Sequence, residues 1–155
     1  MSGNVYEMRA GLFKGRSPEG KTGKIKVLLV ENETPLAMTI VFALTHAGLD
    51  VDAVHTGKKG IALAREQKFD LIALDAKLPD MDGVDLCSEL RRRRISRKTP
   101  IIFIFPSPAP EDIAESKRRG AVDYIVKPFD MTDLIYRIIL YARVKPSQDI
   151  IFAGN

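Results

Sequence analysis

From residue 24 to residue 143 short apolar, β-branched runs alternate with segments of helical period, five times in succession. KIKVLLV (24–30), VDAVHT (51–56), DLIALD (70–75), IIFIF (101–105) and VDYIV (122–126) read as strands. The first, third and fourth are apolar without alternation, the pattern of a strand buried on both faces. Between them Thr34 offers an N-cap with Pro35 at the first helical position, and Leu36, Ile40, Ala43, Leu44 and Ala47 line one face up to Gly48. Further helices are predicted over about 58–67, 84–94 and 111–119, and a last one over 132–143 turns Leu134, Ile135, Ile138, Ile139 and Ala142 inward. Connections this short between strands and helices demand parallel pairing through right-handed crossovers, with helices on both faces of the sheet. The expected fold is a doubly wound α/β sandwich of five parallel strands and five helices.

Residues 1–23 stand outside this rhythm. They carry five glycines and Pro18 without a sustained period and read as a flexible leader. The domain is expected over 24–145, with a short tail at 146–155. After Arg143 no further domain is legible, so the unit acts alone or belongs to a longer protein. Of the net charge of +4, residues 1–24 hold five basic against two acidic residues, which leaves +1 for the rest. The basicity is therefore largely peripheral. A second concentration, RRRRISRK at 91–98, reads first as a solvated helix end favoured by the helix dipole, and no aromatic residue interleaves it for base stacking. Nucleic acid is not expected as a partner. No apolar run approaches the roughly 18 residues of a membrane span, and residues 1–12 show no secretory signal. A single cysteine, Cys87, excludes an internal disulfide and a cysteine zinc cluster. A cytoplasmic setting is expected.

In an open parallel sheet the working groups gather at the carboxyl ends of the strands. Those ends carry Glu31, Asn32 and Glu33 after the first strand, Asp75 after the third, Phe105 after the fourth and Lys127 after the fifth. Converging carboxylates repel unless a cation offsets them. Oxygen donors of this kind suit magnesium, which keeps several waters and shares phosphate oxygens, while Lys127 supplies a point charge for the same phosphate. Taken singly, Asp75 is ordinary turn chemistry and Lys127 an exposed charge. His46 and His55 lack neighbours at metal-ligand spacing.

VLLVENE, LDAKLPDMDG and AVDYIVKPF, in this order and spacing, resemble the receiver domain of two-component response regulators over about residues 24–145. The resemblance implies the flavodoxin-like, CheY-like strand order 2-1-3-4-5. It implies that Asp75 accepts a phosphoryl group from a histidine kinase or phosphotransfer protein, and that Lys127 contacts the phosphate. Magnesium would be held by Glu31, Asn32, Asp75 and the backbone carbonyl of Lys77. The chain would not be an enzyme beyond self-phosphorylation and self-dephosphorylation at Asp75. It would signal to a downstream protein through the fourth helix, fifth strand and fifth helix.

Two positions depart from the family. Asn32 stands where a metal-binding aspartate is usual, which weakens magnesium binding. Phe105 stands where a threonine or serine hydroxyl meets the phosphoryl group and couples it to the aromatic switch at Tyr124, leaving that coupling broken unless Ser107 swings inward. Phosphorylation-independent protein binding is the alternative. A flavin or nucleotide enzyme on this fold would need a Gly- or Ser/Thr-rich phosphate cradle after the first strand, and LLVENE has none.

Overall fold

The computed structural model describes residues 5–9, 11–16, 23–92 and 95–143. Among these residues seven strands, β1 (Val5–Arg9), β2 (Leu12–Arg16), β3 (Lys26–Val30), β4 (Asp50–Val54), β5 (Leu71–Asp75), β6 (Ile101–Phe105) and β7 (Asp123–Val126), form one sheet in the order β1-β2-β4-β3-β5-β6-β7. From β4 to β7 all pairings are parallel, so the five expected strands stand in the expected order. Among the described residues five helices connect and flank them: α1 (Thr34–His46), α2 (Gly57–Glu66), α3 (Gly83–Arg92), α4 (Pro110–Arg118) and α5 (Met131–Arg143).

The apolar runs are continuous because the sheet is covered on both faces. In β3, Val27 and Leu29 enter a core beneath α1 and α5 with Ile40, Leu44, Leu134 and Ile138. Leu28 and Val30 enter a second core with Ile72, Leu74, Leu86, Leu90 and Phe103 on the α2 and α3 side. Alternate side chains thus find apolar partners on opposite faces.

The expectation of a flexible leader is corrected over two stretches. β1 and β2 pair as an antiparallel hairpin, and β2 continues antiparallel onto β4, extending the sheet to seven strands. Two of the glycines that suggested disorder, Gly11 and Gly15, are what the hairpin uses. The register Arg9↔Leu12 leaves a two-residue connection, in which Gly11 takes φ 80°. Gly15 lies so close to α1 that a β-carbon there would sit 2.7 Å from Val41 Cγ1 and closer still to Thr45 Oγ1. Residues 1–4, 10 and 17–22 of the expected leader and the expected tail 146–155 lie outside the described residues.

Helix starts deviate slightly from the sequence reading. Glu33, not Thr34, is the N-cap of α1, with Pro35 in the first turn. At α2 the Thr56 hydroxyl accepts the Lys59 N–H at 3.2 Å, and Asp80, from the loop before α3, accepts the Gly57 and Lys58 N–H groups at 2.8 and 2.9 Å. These bonds satisfy donors that the first helical turn leaves unpaired. Burial raises the Asp80 carboxyl, yet the two N–H donors outweigh it and hold the group below its ordinary value. Among the described residues no helix is long and apolar enough to cross a membrane.

Candidate functional site

The parallel register brings the carboxyl ends of β3, β5, β6 and β7 to one edge, where the chain turns toward its helices. Asp75 closes β5 and is 4% exposed. Its Oδ1 accepts the Lys77 N–H at 3.1 Å, and its Oδ2 lies 3.4 Å from Lys127 Nζ. The backbone of Lys77 is fixed further by a bridge to Asp82. Gly83 packs directly on this turn: its N–H donates to Ala76 O at 2.7 Å, and an added β-carbon would meet Asp75 O at 2.7 Å. Asp75 therefore stands on a backbone that leaves no room for a side chain at residue 83.

Glu31 follows β3 and is fully buried. Its Oε2 accepts the Glu33 N–H at 2.9 Å. Its Oε1 lies 3.1 Å from Lys127 Nζ as an ion pair without hydrogen-bond alignment, and it has no hydrogen-bond partner. Burial, with Asp75 alongside, pushes the Glu31 carboxyl up to about 7, against the opposing pull of the Glu33 N–H and of Lys127. Lys127 feels the converse. Desolvation lowers its ammonium, but Glu31, Asp75 and Glu33 together raise it above the ordinary value. Its Nζ also lies 3.5 Å from Glu33 Oε1, and its N–H donates to Phe105 O at 2.7 Å, which ties β7 to the end of β6.

Asn32 is exposed at the rim of this group. Phe105, in contrast, is 5% exposed and belongs to the core. Its ring stacks 5.6 Å from Phe103 and meets the half-buried Tyr124 edge-on at 6.2 Å. Ser107 does not swing inward; it is exposed on a separate cleft that Phe105, Lys77 and Asp112 also line.

The structure thus brings Glu31, Asp75 and Lys127 together, leaves Asn32 beside them, and puts a hydrocarbon ring at the end of β6. Two further residues reach the site, Glu33 from the strand-end group and His55, which had no sequence signal. Glu33 joins the lysine, and the ring Nδ1 of His55 lies 2.8 Å from Glu31 O, so its N–H donates to that carbonyl. Glu33 stands among the strand-end acids of the sequence, whereas His55 reaches the site through space from the loop after β4, and no spacing rule marks it.

Three carboxylates facing one ammonium make a pocket that repels phosphate unless positive charge is added. Among the described residues no group of three His, Cys, Asp or Glu side chains is arranged to hold a metal ion. Magnesium asks for less, one or two carboxylates with water completing the shell. Glu31, with an oxygen that has no hydrogen-bond partner, and the adjacent Asp75 meet that requirement.

The response regulator receiver domain family matches the chain over residues 27–139. The response regulator ArlR of Staphylococcus saprophyticus is 39% identical over 126 residues, which is 81% of this chain and 56% of that protein. The chain thus spans about half the length of the curated relatives it matches. Among solved structures, a Francisella response regulator receiver domain superposes with a TM-score of 0.72 at 32% identity, over 79% of this chain and all of that one. The receiver domain of a Pseudomonas aeruginosa sensor histidine kinase, solved with a magnesium ion coordinated in the active site cleft, has a TM-score of 0.68 at 28% identity. It covers 77% of this chain and 98% of its own. The chain belongs to the response regulator receiver domain family, and the β1–β2 hairpin lies outside the matched region.

Proposed function

We propose that Asp75 is a phosphoacceptor whose donor is a phosphohistidine of a histidine kinase or phosphotransfer protein in the cytoplasm. A carboxylate oxygen of Asp75 attacks phosphorus in line, the P–N bond breaks, and imidazole departs with the bonding electron pair. An acyl phosphate remains. The observation that carries this reading is the position of Lys127 Nζ, 3.4 Å from Asp75 Oδ2 and 3.1 Å from Glu31 Oε1, where its charge meets that of an incoming phosphoryl group. Glu31, Asp75, the Asn32 amide and the Lys77 carbonyl are the groups that would hold magnesium. When bound, the ion neutralises charge on the phosphoryl oxygens. Since Asn32 contributes no negative charge, that binding is weaker than an aspartate would give. Return of the phosphoryl group to water at Asp75 is the accompanying self-dephosphorylation.

A downstream protein fits the face formed by α4, β7 and α5. There a groove of about 840 Å³ runs past Lys117, Tyr124 and Arg137, and Val126 is exposed beside it. Arg137 bridges Asp123 at 2.7 Å and Asp133 at 2.8 Å, which fixes α5 against the edge strand. One observation favours a second reading, protein binding that ignores phosphorylation. Phe105 fills the end of β6 with a ring that offers no hydrogen bond to a phosphoryl group.

Acetyl phosphate with magnesium should add one phosphoryl mass to the wild type and none to Asp75→Asn. No gain at saturating donor removes the phosphoacceptor reading. A partner that binds wild type and Asp75→Asn equally, with or without donor, establishes the second.

A further inference from the structure

At the opposite edge of the sheet, near the amino ends of β5 and β6, lies a cleft of about 480 Å³ between the segment before β5, the loop after α3 and the last turn of α5. Lys68, Arg97, Lys98 and Arg143 line it, and all four are exposed. None of them forms an ion pair among the described residues. Among the described residues Asp70 is the one carboxylate in the lining, and its Oδ2 already accepts the Lys26 N–H at 2.8 Å. The apolar part of the wall comes from Phe69, Ile95 and Pro100.

The loop bearing two of these cations is held in place. The Arg91 guanidinium donates to the Ser96 carbonyl and, at 3.0 Å, to Gly120 O, and the Ser96 N–H donates to Leu90 O at 3.2 Å. Arg97 and Lys98 therefore project from an anchored turn. Four cations without an ion pair among the described residues, set around one concavity, repel each other in the folded state and focus a positive potential into it. Fold stability does not account for such a cluster, but an anion does. The volume is that of a small-molecule site, and the apolar wall gives a flat ring a place to lie.

We infer that this cleft binds a small ligand carrying two or more phosphate groups, of the nucleoside polyphosphate class. The phosphates lie against Lys68, Arg97, Lys98 and Arg143, and the base lies over Ile95 and Pro100, the half-buried part of the apolar wall. The basic run at 91–98 thereby acquires a use besides that of a solvated helix end, on the side of the sheet away from Asp75.

The test is calorimetric titration of the whole chain with ATP and with inorganic triphosphate, at low ionic strength and without magnesium. Both probes should bind at one site, ATP more tightly, and the Arg97→Gln/Lys98→Gln variant should lose roughly tenfold or more in affinity for each, from two removed charges at short range. Thermal melts of that variant should match or slightly exceed the wild type, because both side chains are exposed and two mutually repelling charges are gone. Lys127→Ala should bind both probes as the wild type does; a loss in that variant instead assigns the anion to the Asp75 pocket and overturns the inference. Absence of binding, or indifference to the double substitution, also overturns it. Equal affinity for the two probes rejects the nucleoside class. Retention of duplex DNA that triphosphate fails to displace transfers the cleft to a nucleic-acid backbone and refutes a small-ligand site. The outcome is independent of whether Asp75 is phosphorylated.

Discussion

Glu31→Gln should make the protein more stable at pH 8 and leave its stability near pH 4 almost unchanged. In the fold the Glu31 carboxyl is fully buried and titrates near 7, against an ordinary value of 4.5. Between these values the folded state holds a proton that the unfolded chain has released. Stability therefore falls as pH rises through that window and levels off above it. At about 1.4 kcal/mol for each pH unit, the interval amounts to roughly 3 kcal/mol, a large fraction of a small domain's total. Glutamine keeps the shape and removes the ionisation, and Lys127 retains Asp75 and Glu33 as partners. Urea denaturation of wild type and variant at intervals from pH 4 to pH 8, without divalent cations, measures the difference directly. The wild-type curve should lose up to about 3 kcal/mol relative to the variant, mostly between pH 5 and pH 7. Asp80, held below its ordinary value, gives stability that is lost only as pH falls further, and it is common to both proteins. A constant difference across the range would show that Glu31 is ionised at ordinary cost and would refute the reasoning. So would greater loss on the acid side.

Asn32→Asp should tighten magnesium binding roughly tenfold or more, read as a magnesium-dependent gain in thermal stability, because it adds a full negative charge at the rim of the pair Glu31 and Asp75. An unchanged magnesium response would place residue 32 outside the ion's reach. Gly83→Ala should cost about 2 kcal/mol in urea melts, since the new β-carbon meets Asp75 O at 2.7 Å and Ala76 Cα at 2.9 Å; a neutral result would mean that the turn moves freely. Gly15→Val should lift β2 from α1, at a similar cost of about 2 kcal/mol, and expose the hairpin to limited proteolysis before the remainder of the chain unfolds. Wild-type resistance in that variant would contradict the close packing on Val41 and Thr45.

The sequence was most legible where each strand is buried on both faces, because there burial leaves an unbroken apolar run that few other structures require. β3, β5 and β6 are of this kind, and each carries its terminal acid or ring where the run predicts it. The hairpin was missed for the opposite reason. Its strands acquire a partner only when β2 meets the edge of β4, a pairing between residues about forty positions apart, such as Phe13 and Ala53. Five glycines in 23 residues outweighed that faint signal. Val5–Tyr6 and Leu12–Phe13, set on either side of Gly11, were the available clue. At the site, strand ends predicted that Glu31, Asp75 and Lys127 would meet, since topology alone dictates it. Contributions from loops were invisible: His55 on the Glu31 carbonyl, and Asp80 capping a helix more than twenty residues earlier.

Phe105 belongs both to the core and to the edge of the pocket. Ile101, Phe103 and Phe105 all enter the α2 and α3 side of the core, so the strand uses its last position for packing and gives the pocket no hydroxyl. Hydrogen-bond donors directed at Asp75 are then the Lys127 ammonium and the Lys77 N–H. If Asp75 is phosphorylated, the new charge acts chiefly on Lys127, whose backbone N–H is bonded to Phe105 O and whose strand carries Tyr124. A change at Lys127 would then act on the backbone of β7, with Tyr124 held edge-on to a ring that already fills the space. Such a route moves a strand end rather than a side-chain rotamer. It predicts small changes along Asp123–Val126 on phosphorylation and none in the packing of Phe103 against Phe105.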